Sequence, residues 1–328
     1  MALVEANIER PGIAVADREI SPKLVSAVSV KNVLFATDFS ATSEAALPYA
    51  TAICRHFGST LHTVHVLSDA SLLLTTGGVD YVSMGTIYED ANTEAKEKLD
   101  QLSDCFEGIP HRNYVRHGQV WKNLAAVIEE NEIELIVLGT HGRTGLGKLL
   151  LGSVAEDILR HASCPVLTVG PKVCGRAKLP LLQNRRRDVA PLELELRRIV
   201  FATDFAQSAK WVARAAAGLA EEFRSRLTLV HVIEDYSELG HRPGPIEESV
   251  QKLRELIPAT AALQYAPETV LEFGDAADRI LKVASERDAD MIVLGAHSSS
   301  EVGSTHLPWS AAHNVIANAH CPVLTTHE

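Results

Sequence analysis

The chain contains itself twice. FATDF at residues 35–39 returns at 201–205, and TVHV at 63–66 is answered by LVHV at 229–232. IVLGTH at 136–141 is answered by IVLGAH at 292–297, and CPVLT at 164–168 recurs at 321–325. The order is kept, and the offsets of 166, 166, 156 and 157 residues barely change. Solenoid repeats have periods of roughly 20–50 residues, so this one is a duplicated domain. Whatever fold the first copy adopts, the second must be able to adopt as well.

Each copy alternates short apolar runs with amphipathic stretches. In the first, strands are expected near 32–37, 60–66, 112–117, 133–139 and 165–169, and helices near 42–57, 88–106, 120–131 and 151–162. VLFAT, LIVLG and PVLTV are apolar throughout, as strands covered on both faces are. Strand–helix alternation calls for a parallel sheet with right-handed crossovers. The expected class is α/β, with two tandem doubly wound open parallel-sheet domains of five strands each. The expected division is an N-terminal extension at 1–30, domain 1 at 31–170, a linker at 171–196 and domain 2 at 197–328. Residues 1–30 hold only one weak apolar run, LVSAVSV. The linker carries three prolines and the run Arg185–Arg187 beside Asp188, which reads as a solvated connection.

Charge narrows the partners. With 42 acidic and 31 basic residues the formal net charge is −11, which argues against a general nucleic-acid binder. No run approaches the roughly 18 apolar residues of a membrane span. The opening MALVEANIERPG lacks the cationic-then-apolar order of a secretion signal, so a cytoplasmic location is expected, with no nucleic acid or membrane as partner. Cys54, Cys105, Cys164, Cys174 and Cys321 show no metal-binding spacing and fit reduced thiols. No metal site is expected. His62 and His65, three apart on one strand, would face opposite sides of the sheet.

The most informative stretch is GTHGRTGLGKLLLGS at 139–153, with five glycines between a strand and a helix. Gly142, Gly147 and Lys148 match part of a Walker A loop, but Leu149 stands where the Mg²⁺-ligating hydroxyl belongs. A dinucleotide fingerprint begun at Gly145 and Gly147 fails at Leu150. The spacing G-x₂-G-x₉-G-[ST] fits Gly139, Gly142, Gly152 and Ser153. In open α/β sheets ligands sit at the carboxyl ends of the strands where strand order reverses. Asp38 and Gly139 both stand at such ends. Gly139 and Gly142 would let backbone N–H groups approach a phosphate. Gly152 and Ser153 open a helix whose free N–H groups favour an anion, and Ser153 suits an N-cap or first-turn position. The plainer readings are that Asp38 caps the helix after it, that the glycines only make a turn, and that His141 is a loop residue with no nucleophile beside it.

With ATDFS at 36–40 and CPVLTV at 164–169, this glycine pattern closely resembles the universal stress protein family. The resemblance covers nearly the whole chain outside the extension and the linker, as two copies. It implies an adenine-nucleotide alpha hydrolase-like fold and ATP as ligand of domain 1, with or without Mg²⁺. It places Asp38 near ribose and adenine, with Ala36 and Thr37 on the same strand end. The Val66 backbone would recognise adenine, and Leu138 would pack near the ribose and base. Gly139, Gly142, Gly152, Ser153 and Val154 would hold the triphosphate, with Arg143 and Lys148 screening its charge. Family domains pair through their last strands, so the resemblance implies an intrachain pseudo-dimer of the two copies, with a further homodimer open. The function implied is a stress-response regulator or signalling module. The alternatives are a slow ATPase or other nucleotide-using enzyme, and a scaffold assembled through its edge strands without nucleotide. No catalytic base is evident, so at most slow hydrolysis is expected.

Domain 2 departs from the pattern. Its loop, GAHSSSEVGSTHLPWS at 295–310, puts Ser298 at the place of Gly142 and Trp309 at the place of Gly152. It has no lysine or arginine, and it adds Glu301. Asp204 is kept, and Ala206 replaces Ser40. The expectation is a lost or altered site, with Trp309 filling the pocket or stacking a different ligand. The stretch 68–85 in domain 1, longer than its counterpart, is expected as either a lid or a packing loop.

Overall fold

The computed structural model describes residues 29–68, 81–140, 151–173, 194–234, 245–295 and 308–326. In domain 1 the order is β1 (Asn32–Ala36), α1 (Ala41–Phe57), β2 (Thr60–Leu67), α2 (Tyr81–Ser103), β3 (His111–His117), α3 (Val120–Glu130), β4 (Leu135–Gly139), α4 (Ser153–His161) and β5 (Val166–Val169). Domain 2 repeats it as β6 (Arg198–Ala202), α5 (Ala209–Glu222), β7 (Arg226–Ile233), α6 (Pro245–Leu256), β8 (Glu268–Phe273), α7 (Ala276–Glu286), β9 (Met291–Gly295), α8 (Pro308–Asn318) and β10 (Val323–Thr326). The one sizeable departure from expectation is α2, which starts at Tyr81 rather than near 88. The sequence there, YVSMGTI, carries β-branched residues and a glycine that weaken a local helix signal. Residues 69–80 of the expected lid or packing loop lie outside the described residues, as do most of the extension and linker.

All ten strands form one sheet, in the order β3-β2-β1-β4-β5-β10-β9-β6-β7-β8. Each half is parallel, and the halves meet where β5 pairs antiparallel with β10. The expected pairing through CPVLTVG and CPVLTTH is therefore what joins the domains. Leu167 faces Leu324, flanked by Thr168 with Val323 and Thr325 with Val166. Thr168 Oγ1 donates to the Val323 carbonyl at 3.0 Å, and Thr325 Oγ1 to the Val166 carbonyl at 3.2 Å. These two bonds are images of each other under a pseudo-twofold axis through the leucine pair.

Alternation along each strand feeds two cores, one on each side of the sheet, and both run through the seam. Val33, Phe35, Leu167, Phe201 and Leu324 belong to one, and Leu34, Ile136, Leu159, Val200 and Ile316 to the other. On the first face the ends of α1 and α5 also meet. His56 Nε2 lies 2.9 Å from Glu222 Oε1, and the His56 ring stacks on Phe223 at 4.5 Å. His56 and Glu222 are counterparts in the repeat (222 − 56 = 166). A symmetric pair there would set like beside like, and the duplicated chain has instead diverged to complementary groups.

Burial pushes the Cys54 and Cys164 thiols up to about 12, so both stay protonated as packing groups. Among the described residues no helix is long and apolar enough to cross a membrane.

Candidate functional site

The order β3-β2-β1-β4-β5 reverses direction between β1 and β4, and a crevice opens beyond their carboxyl ends. The last rung between β1 and β2 is the Thr37 N–H to the Val64 carbonyl at 3.0 Å. Ala36 closes β1, and the chain then turns sharply. Val66 lies two residues past Val64, so its peptide groups face the same side of β2, where β1 has already turned away.

That turn is strained and tightly held. Phe39 sits at φ 59°, a left-handed conformation that an aromatic residue rarely adopts. Its N–H donates to Thr37 Oγ1 at 3.0 Å, its ring packs against His65 at 4.4 Å, and the Lys98 ammonium lies 5.5 Å from the ring centre. His65, nearly buried, donates from Nδ1 to the Thr37 carbonyl at 2.8 Å. The Thr37 hydroxyl also meets Ser43 Oγ at 3.1 Å, so its polar capacity is used inside the turn. Asp38 Oδ1 accepts the Ser40 N–H at 3.0 Å, which fixes the carboxylate. Helix α1 is capped by Ser40, whose hydroxyl accepts the Ser43 N–H at 3.2 Å. The alternative reading of Asp38 as the cap is thereby corrected: a residue two positions nearer the helix reaches the orphan N–H.

Domain 2 builds the same turn. Phe205 has φ 61°, its N–H donates to Thr203 Oγ1 at 3.0 Å, and Ala206 N–H donates to Asp204 Oδ1 at 2.9 Å. His231 Nδ1 donates to the Thr203 carbonyl at 2.8 Å and packs on Phe205 at 4.2 Å. The histidine and phenylalanine build the site although the glycine pattern does not include them; the recurrence of VHV with ATDF in both copies is their signal in the sequence. Strain kept in both copies points to a function for the carboxylate it aims.

Burial holds His231 below its ordinary 6.5, and burial lowers His62 and His313 too. The unfolded chain therefore takes up these protons first, so stability falls as pH drops below about 6.5, down to each folded value. Above that pH the rings are neutral in both states and contribute no slope. Melting temperature followed from pH 7.5 to 5 is expected to decline, and the decline to be shallower in His231→Gln. A slope no shallower in that variant would contradict the assignment.

On the other side of the crevice, Leu138 is buried and Gly139 ends β4. Thr140 follows, with its N–H on the Val169 carbonyl at 3.1 Å, and the Gly152 N–H donates to the Thr140 carbonyl at 2.8 Å. The start of α4 is thus pinned beside the end of β4. Gly152 is the N-cap, with φ −65° and ψ 146° and no side-chain cap bond. Ser153 is the first helical residue, and Ser153 and Val154 are exposed. Gly139 serves packing as well as any ligand: a Cβ there would lie 2.5 Å from the Thr42 carbonyl oxygen. Gly142, Arg143 and Lys148 lie outside the described residues.

The donors and walls suit an anion beside an apolar, hydroxyl-bearing group. The first-turn N–H groups of α4 favour an anion, and Ser153 is exposed there. The Asp38 carboxylate accepts hydroxyl donors. Ala36, Val66 and Leu138 give apolar surface.

Comparison with known proteins agrees with this architecture. The family model described as the universal stress protein family matches residues 29–170 and again 195–327. Universal stress protein A homolog 1 of Coxiella burnetii is 33% identical over 143 residues, covering 43% of this chain and 97% of that one. A universal stress protein of Methanocaldococcus jannaschii is 29% identical over 158 residues, covering 44% and 98%. The crystal structure of a universal stress protein from Archaeoglobus fulgidus covers 90% of this chain and 98% of its own, at 20% identity and a TM-score of 0.64. That similarity is one of fold.

Proposed function

Because the chain belongs to the universal stress protein family, we propose that domain 1 binds ATP and that its occupancy acts as a regulatory signal. The observation that carries this reading is the pinning of the α4 N-terminus against the end of β4 by the Gly152–Thr140 bond, across the crevice mouth from the fixed Asp38. Asp38 would accept ribose hydroxyls, the Val66 backbone would meet the adenine edge, and Ala36, Thr37 and Leu138 would line that end. Gly139, Gly142, Gly152, Ser153 and Val154 would surround the phosphates, with Arg143 offsetting their charge. Bound Mg²⁺ would supply further charge neutralisation. A signal requires that ATP favour one of two conformations of the chain. Thr140 offers a route, since it bonds both to the helix start at Gly152 and to β5 at Val169.

The test is mass spectrometry of nucleotide released from gently purified full chain, with stoichiometry, for wild type and Gly152→Trp. The backbone at Gly152 accepts any residue, so the indole blocks the phosphate place without backbone strain. About one ATP per chain, absent in the variant, is the expected result. Two per chain would place triphosphate in domain 2 as well. None, even with ATP and Mg²⁺ added, would favour a scaffold. Among the described strands its edges would then be β3 and β8, because the last strands already pair with each other.

A further inference from the structure

Domain 2 holds a cavity of about 480 Å³ at the same end of its sheet. That is a volume typical of small-molecule sites, which run roughly 300–1,000 Å³. Its floor repeats domain 1 residue for residue. Ala202, Val230, Val232 and Leu294 line it, where domain 1 has Ala36, Val64, Val66 and Leu138. Its mouth does not repeat. Glu234 stands where domain 1 has Ser68 (234 − 166), and Asp275 where it has Gln119 (275 − 156). With Asp204, three carboxylates line the cavity, and its described lining includes no lysine or arginine.

The new acids also cap a helix that borders the cavity. Glu234 Oε1 accepts the Ala276 N–H at 3.0 Å, and Asp275 Oδ1 accepts the Asp278 N–H at 2.9 Å. Together they cap the N-terminus of α7 and keep two negative charges on the rim. Ionised carboxylates only accept hydrogen bonds. Beside them a ligand that brings donors and no negative charge is favoured, which describes the hydroxyls of a sugar and disfavours phosphate esters. The floor, meanwhile, is the one domain 1 offers to a base.

We infer that domain 2 takes an uncharged nucleoside and rejects the corresponding nucleotide, so that the two copies sense phosphorylated and dephosphorylated forms of one ligand class. The class of base rests on the reading of domain 1 above, while the charge selection rests on the domain 2 cavity itself.

The experiment uses the full chain with alanine methyls labelled, titrated with adenosine and separately with ATP. Expected are adenosine-induced shifts at Ala202, Ala311 and Ala312, and the loss of those at Ala202 and Ala312 in Ala311→Trp, which fills the cavity from α8. ATP should leave these methyls unmoved. Glu234→Gln with Asp275→Asn keeps both capping acceptors while removing two charges. It should improve ATP affinity in domain 2 about tenfold and leave that of adenosine within about twofold. No adenosine shift at these methyls up to millimolar concentration would overturn the inference, as would ATP binding there as tightly as adenosine. Domain 1 is read independently by the Ala155 methyl: a chain in which ATP fails to move Ala155 contradicts the nucleotide reading of domain 1 alone.

Discussion

Gly139→Ala is expected to destabilise the chain by about 3 kcal/mol, at the upper end of the usual cost of overpacking. The added methyl would lie 2.5 Å from the Thr42 oxygen, 2.7 Å from the Thr42 carbonyl carbon and 2.8 Å from the Ser43 nitrogen. All three are backbone atoms of the first turn of α1, so no side chain can swing away. That turn is itself tied down by the Ser40 cap and by Ser43 Oγ donating to the Ser40 carbonyl at 2.9 Å. Relief requires α1 and β4 to separate, and Asp38 lies immediately before that helix. The substitution should therefore also weaken nucleotide binding. Gly58→Ala is the control. Gly58 has φ 67°, and nothing lies within 4 Å of its added Cβ, so only the left-handed backbone strain of about 1–2 kcal/mol applies. Denaturant unfolding of both variants checks the order. If Gly139→Ala costs no more than Gly58→Ala, the close approach of strand and helix does not constrain this fold.

That contrast shows where sequence reasoning reached and where it stopped. The repeat offsets set the architecture, and the apolar runs set the strands, because both are one-dimensional signals. Gly139 was readable as special within the glycine pattern. Its packing role was not, since the neighbour that forbids a side chain is about a hundred residues earlier in the chain. In the sequence His65 is one more strand residue, and its role depends on a carbonyl at Thr37 that the β1–β2 register brings beside it. Glu234 and Asp275 each look like an ordinary surface acid. Only the β7–β8 pairing sets them on one rim. The altered glycine loop points to a changed domain 2 site through Ser298 and Trp309, but Ser298 and the Trp309 side chain lie outside the described residues. The described walls place further changes, in charge, on the opposite side of that crevice.

Leu167→Ala and Leu324→Ala are expected to cost nearly equal amounts, about 3 kcal/mol each, within the range for buried leucine truncation. The two side chains are 1% and 7% exposed and face each other across the only antiparallel pairing among the described strands. Both also border an apolar cavity of about 260 Å³ beneath the seam. Truncation leaves a gap between two facing strands that the rest of the sheet holds in place, so little of the loss is recovered. Equality follows from the pseudo-twofold axis, because each leucine occupies the other's environment. The His56–Glu222 pair is about one-third exposed at each end and adds little energy by comparison. Its complementarity selects one domain against the other more than it stabilises the pair. Since the leucines touch a common partner surface, the double variant should cost less than the sum, with a coupling of 0.5 kcal/mol or more. Full-chain unfolding in urea for the two single variants and the double closes the cycle. A large cost at one leucine with under about 1 kcal/mol at the other, or strict additivity, would mean that the two halves do not share a core through β5 and β10. In that case a signal from the domain 1 crevice, carried by Thr140 to Val169, would end at the edge of its own domain.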